Sequence, residues 1–237
     1  MRVHQHEAYI NRWLPHPPAP RLLWRVETDG WLLLGFDHVA GQHADLSPGS
    51  PDLPLVADTI STLARELTPC PADEVPALAG KLASMAAWRR LRHEPPGDLD
   101  PWGRTKLDCF VEWEQRAIDA VAGDSLLHAD LHPLNIVVGR VAHVVDWAWS
   151  RTGAVWVDTA YLVIRLIDEG HTPQAAERWA ESVPAWHESS DLARTAFAVA
   201  VFGMWEYLQH ADPLPHRARL ATAARRWAQH RVDPGQD

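Results

Sequence analysis

Lysine is nearly missing from this 237-residue chain. Among its 22 basic residues only Lys81 and Lys106 are lysines, a bias that points to a GC-rich genome and leaves two positions for any site that needs one. Cysteine is as scarce. Cys70 and Cys109 stand outside any motif spacing, which excludes a disulfide scaffold and fits unpaired thiols in a reducing cytoplasm. No run reaches the roughly 18 apolar residues of a membrane span. The first seven residues lack the apolar core of a secretion signal. We therefore expect a cytoplasmic protein without a membrane partner. A basic excess is absent too. The formal charge of −9 argues against a nucleic-acid binder, whose affinity comes from cations meeting phosphates. It is weakly compatible with a cationic small-molecule partner. Repeats and low-complexity tracts are missing as well.

What is present is a globular composition, 46% hydrophobic and 22% charged, long enough for one large domain or a small domain plus a larger one. Apolar spacing predicts a helix over 2–14, stopped by Pro15, Pro17, Pro18 and Pro20. Strands follow over 21–26 and 31–36, joined by a turn at Asp29-Gly30. Helices are predicted over 53–67, 73–91 and 104–122. Four more follow over about 155–168, 174–183, 191–210 and 215–231. The tail after Arg231 reads as frayed. Most of the thirteen tryptophans read as core or interface aromatics.

The chemistry concentrates in two polar breaks. Asp130 and Asn135 share the first, five residues apart, and Asp146 ends the next apolar run, sixteen residues after Asp130. The runs 136–138 and 141–145 are β-branched and separated by Gly139-Arg140, so they read as a hairpin. A hairpin brings Asn135 close to Asp146. Both offer hard oxygen donors, which suit magnesium. Kinase-type phosphoryl transfer uses one Asp at the acceptor hydroxyl, with an Asn and a second Asp on the metal. Taken singly, His128 is a loop or core histidine, Asp130 a turn residue and Asn135 a strand-entry residue. Their joint spacing sets them apart. A second chemistry, a zinc or iron site on His128, Asp130 and His132, lacks a further His/Glu cluster at suitable spacing.

The pattern His128-x-Asp130-x-x-x-x-Asn135 followed by Val145-Asp146-Trp147 resembles the catalytic core of the aminoglycoside phosphotransferase family, itself similar in fold to the protein kinases. The resemblance implies an α+β, protein-kinase-like fold: a small N-lobe and hinge over 1–40 and a mostly helical C-lobe with a catalytic hairpin over 41–237. It implies that Asp130 is the catalytic base, that His128 belongs to the catalytic set by supporting the loop, and that Asn135 and Asp146 hold Mg2+. His132 fits a variant of the same motif, and Asp158 falls where the family has an Asp bracing the catalytic loop. The segment 36–41 resembles the family's hinge, so Asp37, His38 and Val39 would meet the adenine of ATP (or GTP). Glu7 falls where the family has a glutamate paired with a nucleotide-binding lysine.

That lysine, with the phosphate-covering loop, belongs to a small sheet that the resemblance places before residue 1. Neither Lys81 nor Lys106 fits the role. The expected gap is roughly 30–50 residues. Two readings stay open: a longer working kinase, favoured by the retained Asp130, Asn135 and Asp146, or a non-catalytic pseudokinase-like protein that binds a nucleotide or metabolite. The acceptor on the first reading is a small-molecule hydroxyl that the sequence does not choose. Glu169, Glu177, Glu181, Glu188, Asp191 and Glu206 have two readings, the wall of a cationic pocket or solvated helix faces.

Overall fold

The computed structural model describes residues 2–233. Helix α1 (Arg2–Ile10) tightens into a 3-10 turn at Asn11–Trp13. Asn11 ties that turn to the next strand. Its Nδ2 donates to Pro20 O (2.8 Å) and its Oδ1 accepts from Leu22 N (2.6 Å). Strands β1 (Leu22–Thr28) and β2 (Trp31–Phe36) pair antiparallel. Asp29 and Gly30 between them both take positive φ (48° and 80°), as a two-residue hairpin turn requires. Trp24, Trp31 and Leu33 of this hairpin are exposed.

The chain next crosses residues 37–41 into the short strand β3 (Gln42–His43) and then helix α2 (Asp52–Glu66), which buries Val56, Ile60 and Leu63. The helix expected over 73–91 is instead two, α3 (Leu78–Met85) and α4 (Ala87–His93), with Ala86 between them at φ 43°. Its first residues stay outside the helix, with Glu74 at φ 56°. Pro76 disfavours a helical Val75, and Pro76 O accepts from Thr152 N (3.0 Å). The helix expected over 104–122 is also divided, into α5 (Pro101–Thr105), capped by Asp100 on Gly103 N (2.9 Å), and α6 (Leu107–Ala120).

The break at Ala86 has a tertiary cause. The buried carboxylate of Glu114, on α6, accepts from the N–H groups of Trp88 (2.9 Å) and Arg89 (3.4 Å), donors that a helix start leaves free. This aims Trp88 into the core, where its ring meets Phe110 (4.8 Å between centroids) and Phe202 (4.9 Å). Its Nε1 donates to Val199 O (2.7 Å). Gly203 permits that approach, since a Cβ there would lie 2.3 Å from the indole. Burial raises the Glu114 carboxyl above its ordinary value, against the opposing pull of the two N–H donors. The folded state therefore holds this proton to higher pH than the unfolded chain does. Its contribution to stability is complete below the ordinary carboxylate range and is lost as pH rises through the raised value. Glu114→Gln should flatten this decline as pH rises above the ordinary carboxylate range. Urea midpoints across that rise check it, and superimposable profiles for the two proteins would contradict it.

The second half opens with β4 (Ser125–Leu127) and the hairpin of β5 (Ile136–Val138) and β6 (Ala142–Val144). Strand β3 joins the hairpin beside β5, an addition that two polar residues gave no reason to expect. Thr59 Oγ1, from α2, donates to Ala142 O (3.0 Å) and fixes the hairpin to the helical body. Strand β7 (Arg151–Gly153) pairs with β4. Helices α7 (Val157–Asp168), α8 (Pro173–Ala180), α9 (Asp191–Ala211) and α10 (Pro215–Val232) follow close to the expected positions. Thr172 and Ser190 cap α8 and α9 through their hydroxyls. The start of the tail is anchored rather than frayed: Asp233 accepts from Trp102 Nε1 (2.9 Å) and pairs with Lys106 (3.0 Å). Residues 234–237 lie outside the described residues. Among the described residues no helix is long and apolar enough to cross a membrane.

Candidate active site

Strand β4 delivers the chain into residues 128–135, and two features hold that loop. Asp158, in the first turn of α7, accepts from the backbone N–H groups of His128 (2.7 Å) and Ala129 (2.9 Å). Ala129 takes φ 62°, a left-handed conformation that a non-glycine residue adopts only when its surroundings enforce it. Burial raises the Asp158 carboxyl, while the two N–H donors act the other way.

His128 is fully buried, and both ring nitrogens are taken. Nε2 donates to Val145 O (2.9 Å), and Nδ1 accepts from Asp130 N (3.2 Å), which fixes a single neutral tautomer. The ring thus ties the residue before Asp146 to Asp130. It has no nitrogen left to ligate zinc. Among the described residues no three His, Cys, Asp or Glu side chains gather as a metal cluster.

Asn135 closes the arrangement. Its Nδ2 donates to Asp130 O (3.0 Å), and its backbone O accepts from Val145 N (2.9 Å). The side-chain oxygen is left without a hydrogen-bond partner among the described residues, as are the carboxylates of Asp130 and Asp146. Asp146 is exposed and takes φ 62°, while Trp147 beyond it is buried with its ring 5.0 Å from that of His128. Asp130, Asn135 and Asp146 are therefore parts of one bonded unit. Their free atoms are oxygens, a donor set that fits a hard cation such as magnesium. His132 stands among the same groups, and burial lowers its pKa despite the pull of Asp130.

Helix α1 packs on the turn after Asp146. His6 Nε2 lies 2.9 Å from Ser150 Oγ and 3.2 Å from Ser150 O. Glu7 is buried beside this turn. Its carboxyl is raised by burial first and by the Asp146 carboxylate second, so the two acids are near neighbours. Among the described residues Glu7 meets His4, at 3.6 Å. In the segment 37–39, Asp37 is engaged with Arg21 through both its carboxylate (2.8 Å) and its backbone N–H (2.8 Å). The backbone groups of His38 and Val39 have no partner among the described residues. Gly41 then presses on β5, where a Cβ would lie 2.4 Å from Val138 O, so this segment borders the strand that follows Asn135.

A cavity of about 120 Å³ with Asp130 in its lining lies between α3, α7 and α9, walled by Lys81, Met85, Tyr161, Arg165 and Trp205. These residues span more than 120 positions, and the sequence marked none of them as a site. The scarcity of lysine was the one available signal for Lys81. The acids considered for a cationic pocket lie elsewhere. Glu177 and Asp191 pair with Arg231, Glu206 with His210 (3.4 Å), and Glu169, Glu181 and Glu188 are exposed. None of the six lines the cavity beside Asp130.

No protein-family model matches the chain, and no curated protein matches it in sequence. Solved structures do match. An aminoglycoside phosphotransferase from Alicyclobacillus acidocaldarius superposes with a TM-score of 0.58 at 13% identity, over 97% of this chain and 79% of that one. A thermostable mutant of aminoglycoside phosphotransferase APH(4)-Ia, in a ternary complex with ADP and hygromycin B, gives 0.60 at 14% identity, over 93% and 83%. A choline/ethanolamine kinase family protein from Mesorhizobium loti gives 0.62 at 13% identity, over 97% and 78%. The chain thus has the α+β, protein-kinase-like fold of these phosphotransferases.

Proposed function

We propose that this protein transfers the γ-phosphoryl group of ATP or GTP to a hydroxyl of a small molecule. The observation that carries this reading is the bonded unit of Asp130, Asn135 and Asp146, whose free atoms are all oxygens. The phosphotransferase fold agrees with it, and one structure of that fold was solved with ADP.

In this reading Asp130 receives the acceptor hydroxyl at its free carboxylate and takes its proton. The acceptor oxygen gains the bond to the γ-phosphorus as the bond to the β-phosphate oxygen breaks, and nucleoside diphosphate leaves. Asn135 Oδ1 and the Asp146 carboxylate would hold Mg2+, which would supply neutralisation of charge on the phosphates. His128 keeps Asp130 and Asp146 in register, and Asp158 holds the loop from below. The unpartnered backbone of His38 and Val39 receives the base. Glu7, buried beside the turn after Asp146, stands next to the proposed cation. We further propose residues 1–40 as the smaller lobe and 41–237 as the larger, meeting at 37–39, and a cytoplasmic setting.

Release of labelled γ-phosphate from ATP, with water as the default acceptor, tests the reading. Slow release that requires magnesium and stops with a chelator is expected. Binding of nucleotide without any magnesium-dependent release would favour the pseudokinase-like alternative.

A further inference from the structure

The cavity beside Asp130 carries more positive than negative charge. Lys81 and Arg165 face it together with one carboxylate, Asp130. The Lys81 ammonium has no hydrogen-bond or carboxylate partner among the described residues and lies 5.4 Å from the centre of the Trp149 ring. Arg165 donates one N–H to Leu131 O (3.2 Å) and lies 5.5 Å from the centre of the Trp205 ring, again without a carboxylate pair. Asp168, the next acid felt by Arg165, is paired with Arg219 (3.3 Å). Arg151, on β7, adds a third positive charge near Lys81.

Unpaired cations in a partly desolvated site favour an anion and repel a cation. The nucleotide phosphates are one anion to consider, but the cavity lining includes neither Asn135 nor Asp146, the proposed metal ligands on the nucleotide side. The cavity is also small. Its volume of about 120 Å³ falls below the roughly 300–1,000 Å³ typical of drug-sized ligands.

We propose that the acceptor is a small hydroxylated anion, its carboxylate or phosphate seated on Lys81 and Arg165 while its hydroxyl meets Asp130. This deepens the kinase reading and rests on it. It sets this site apart from one built for a polycationic acceptor.

The chain's two lysines supply the test. The whole protein is acylated briefly with acetic anhydride and the modification of each lysine is read by peptide mass. Lys106, paired with Asp233, serves as the internal standard. The added probes are glycerol 3-phosphate, glycerate, glycerol, choline and Mg·ADP, each alone. An anion at ten times its Kd should slow Lys81 acylation about tenfold, with Lys106 unchanged. Glycerol, choline and Mg·ADP should not slow it. Protection by glycerol 3-phosphate alone assigns a phosphate group to the acceptor, and protection by glycerate assigns a carboxylate. The proposal is overturned if neither anion protects at about 50 mM, fifty times a millimolar Kd. It is equally overturned if choline protects, or if Mg·ADP alone protects and so places Lys81 on the nucleotide. Magnesium-dependent γ-phosphate release from the same preparation separates the two failures. Release without anion protection sinks only this proposal, whereas anion protection without release sinks the kinase reading.

Discussion

Asp130→Asn should lower magnesium-dependent γ-phosphoryl transfer by about 10²–10⁴-fold, the range a positioned general base contributes. The reason is local. Asp130 is anchored through its main chain, its N–H on His128 and its carbonyl on Asn135, so the substitution removes only the free carboxylate. The loop should keep its shape, and ATP binding should stay within about threefold of wild type, a difference below 1 kcal/mol. Initial rates and equilibrium titration on the same preparation separate the two effects. Transfer within a few-fold of wild type would remove Asp130 from the base role. A parallel loss of ATP binding would mean that its carboxylate serves the nucleotide instead.

Asp158→Ala should destabilise the protein by about 2–4 kcal/mol, because two backbone N–H groups lose their acceptor at about 1–3 kcal/mol each, less the relief of unburying a carboxylate. The burial that raises the Asp158 carboxyl is the source of that relief. Ala129 loses the contact that holds its left-handed backbone, and Asp130 follows directly. Transfer should therefore fall along with stability, although Asp158 touches neither nucleotide nor acceptor in this account. The urea midpoint should drop at an unchanged slope, as expected when stability alone changes. A loss within about 0.5 kcal/mol, the size of an ordinary surface substitution, would show that the brace is dispensable.

The parts of the site that were legible in the sequence share one property: their spacing is local. Asp130, Asn135 and Asp146 lie within seventeen residues, and the β-branched runs between them announced the hairpin that gathers them. The long C-terminal helices were legible because the residues they bury, mostly apolar, lie in their own sequence, in α9 as one unbroken run from Thr195 to Met204. The errors came where a distant residue decides the local conformation. Ala86 breaks a helix because Glu114, 28 positions away, caps the one that follows. Residues 73–77 stay out of the helix, Glu74 at φ 56° and Pro76-Ala77 bonded to β7. Strand β3 is two polar residues that pair only because β5 offers an open edge. The wall of the cavity beside Asp130 was invisible for the same reason. Lys81, Tyr161, Arg165 and Trp205 come from three helices, and each alone reads as an ordinary helix residue.

Every role proposed above depends on Asp130, Asn135 and Asp146 forming a magnesium-dependent nucleotide site. Calorimetric titration of ATP into the wild-type protein and Asp146→Asn, with and without magnesium, tests it most directly. The wild type should bind ATP more tightly with magnesium, and Asp146→Asn should lose at least about tenfold of that gain, in the range seen when the surroundings of a bound metal are disturbed. Equal affinity with and without magnesium, or an Asp146→Asn protein that keeps the full magnesium effect, would contradict it.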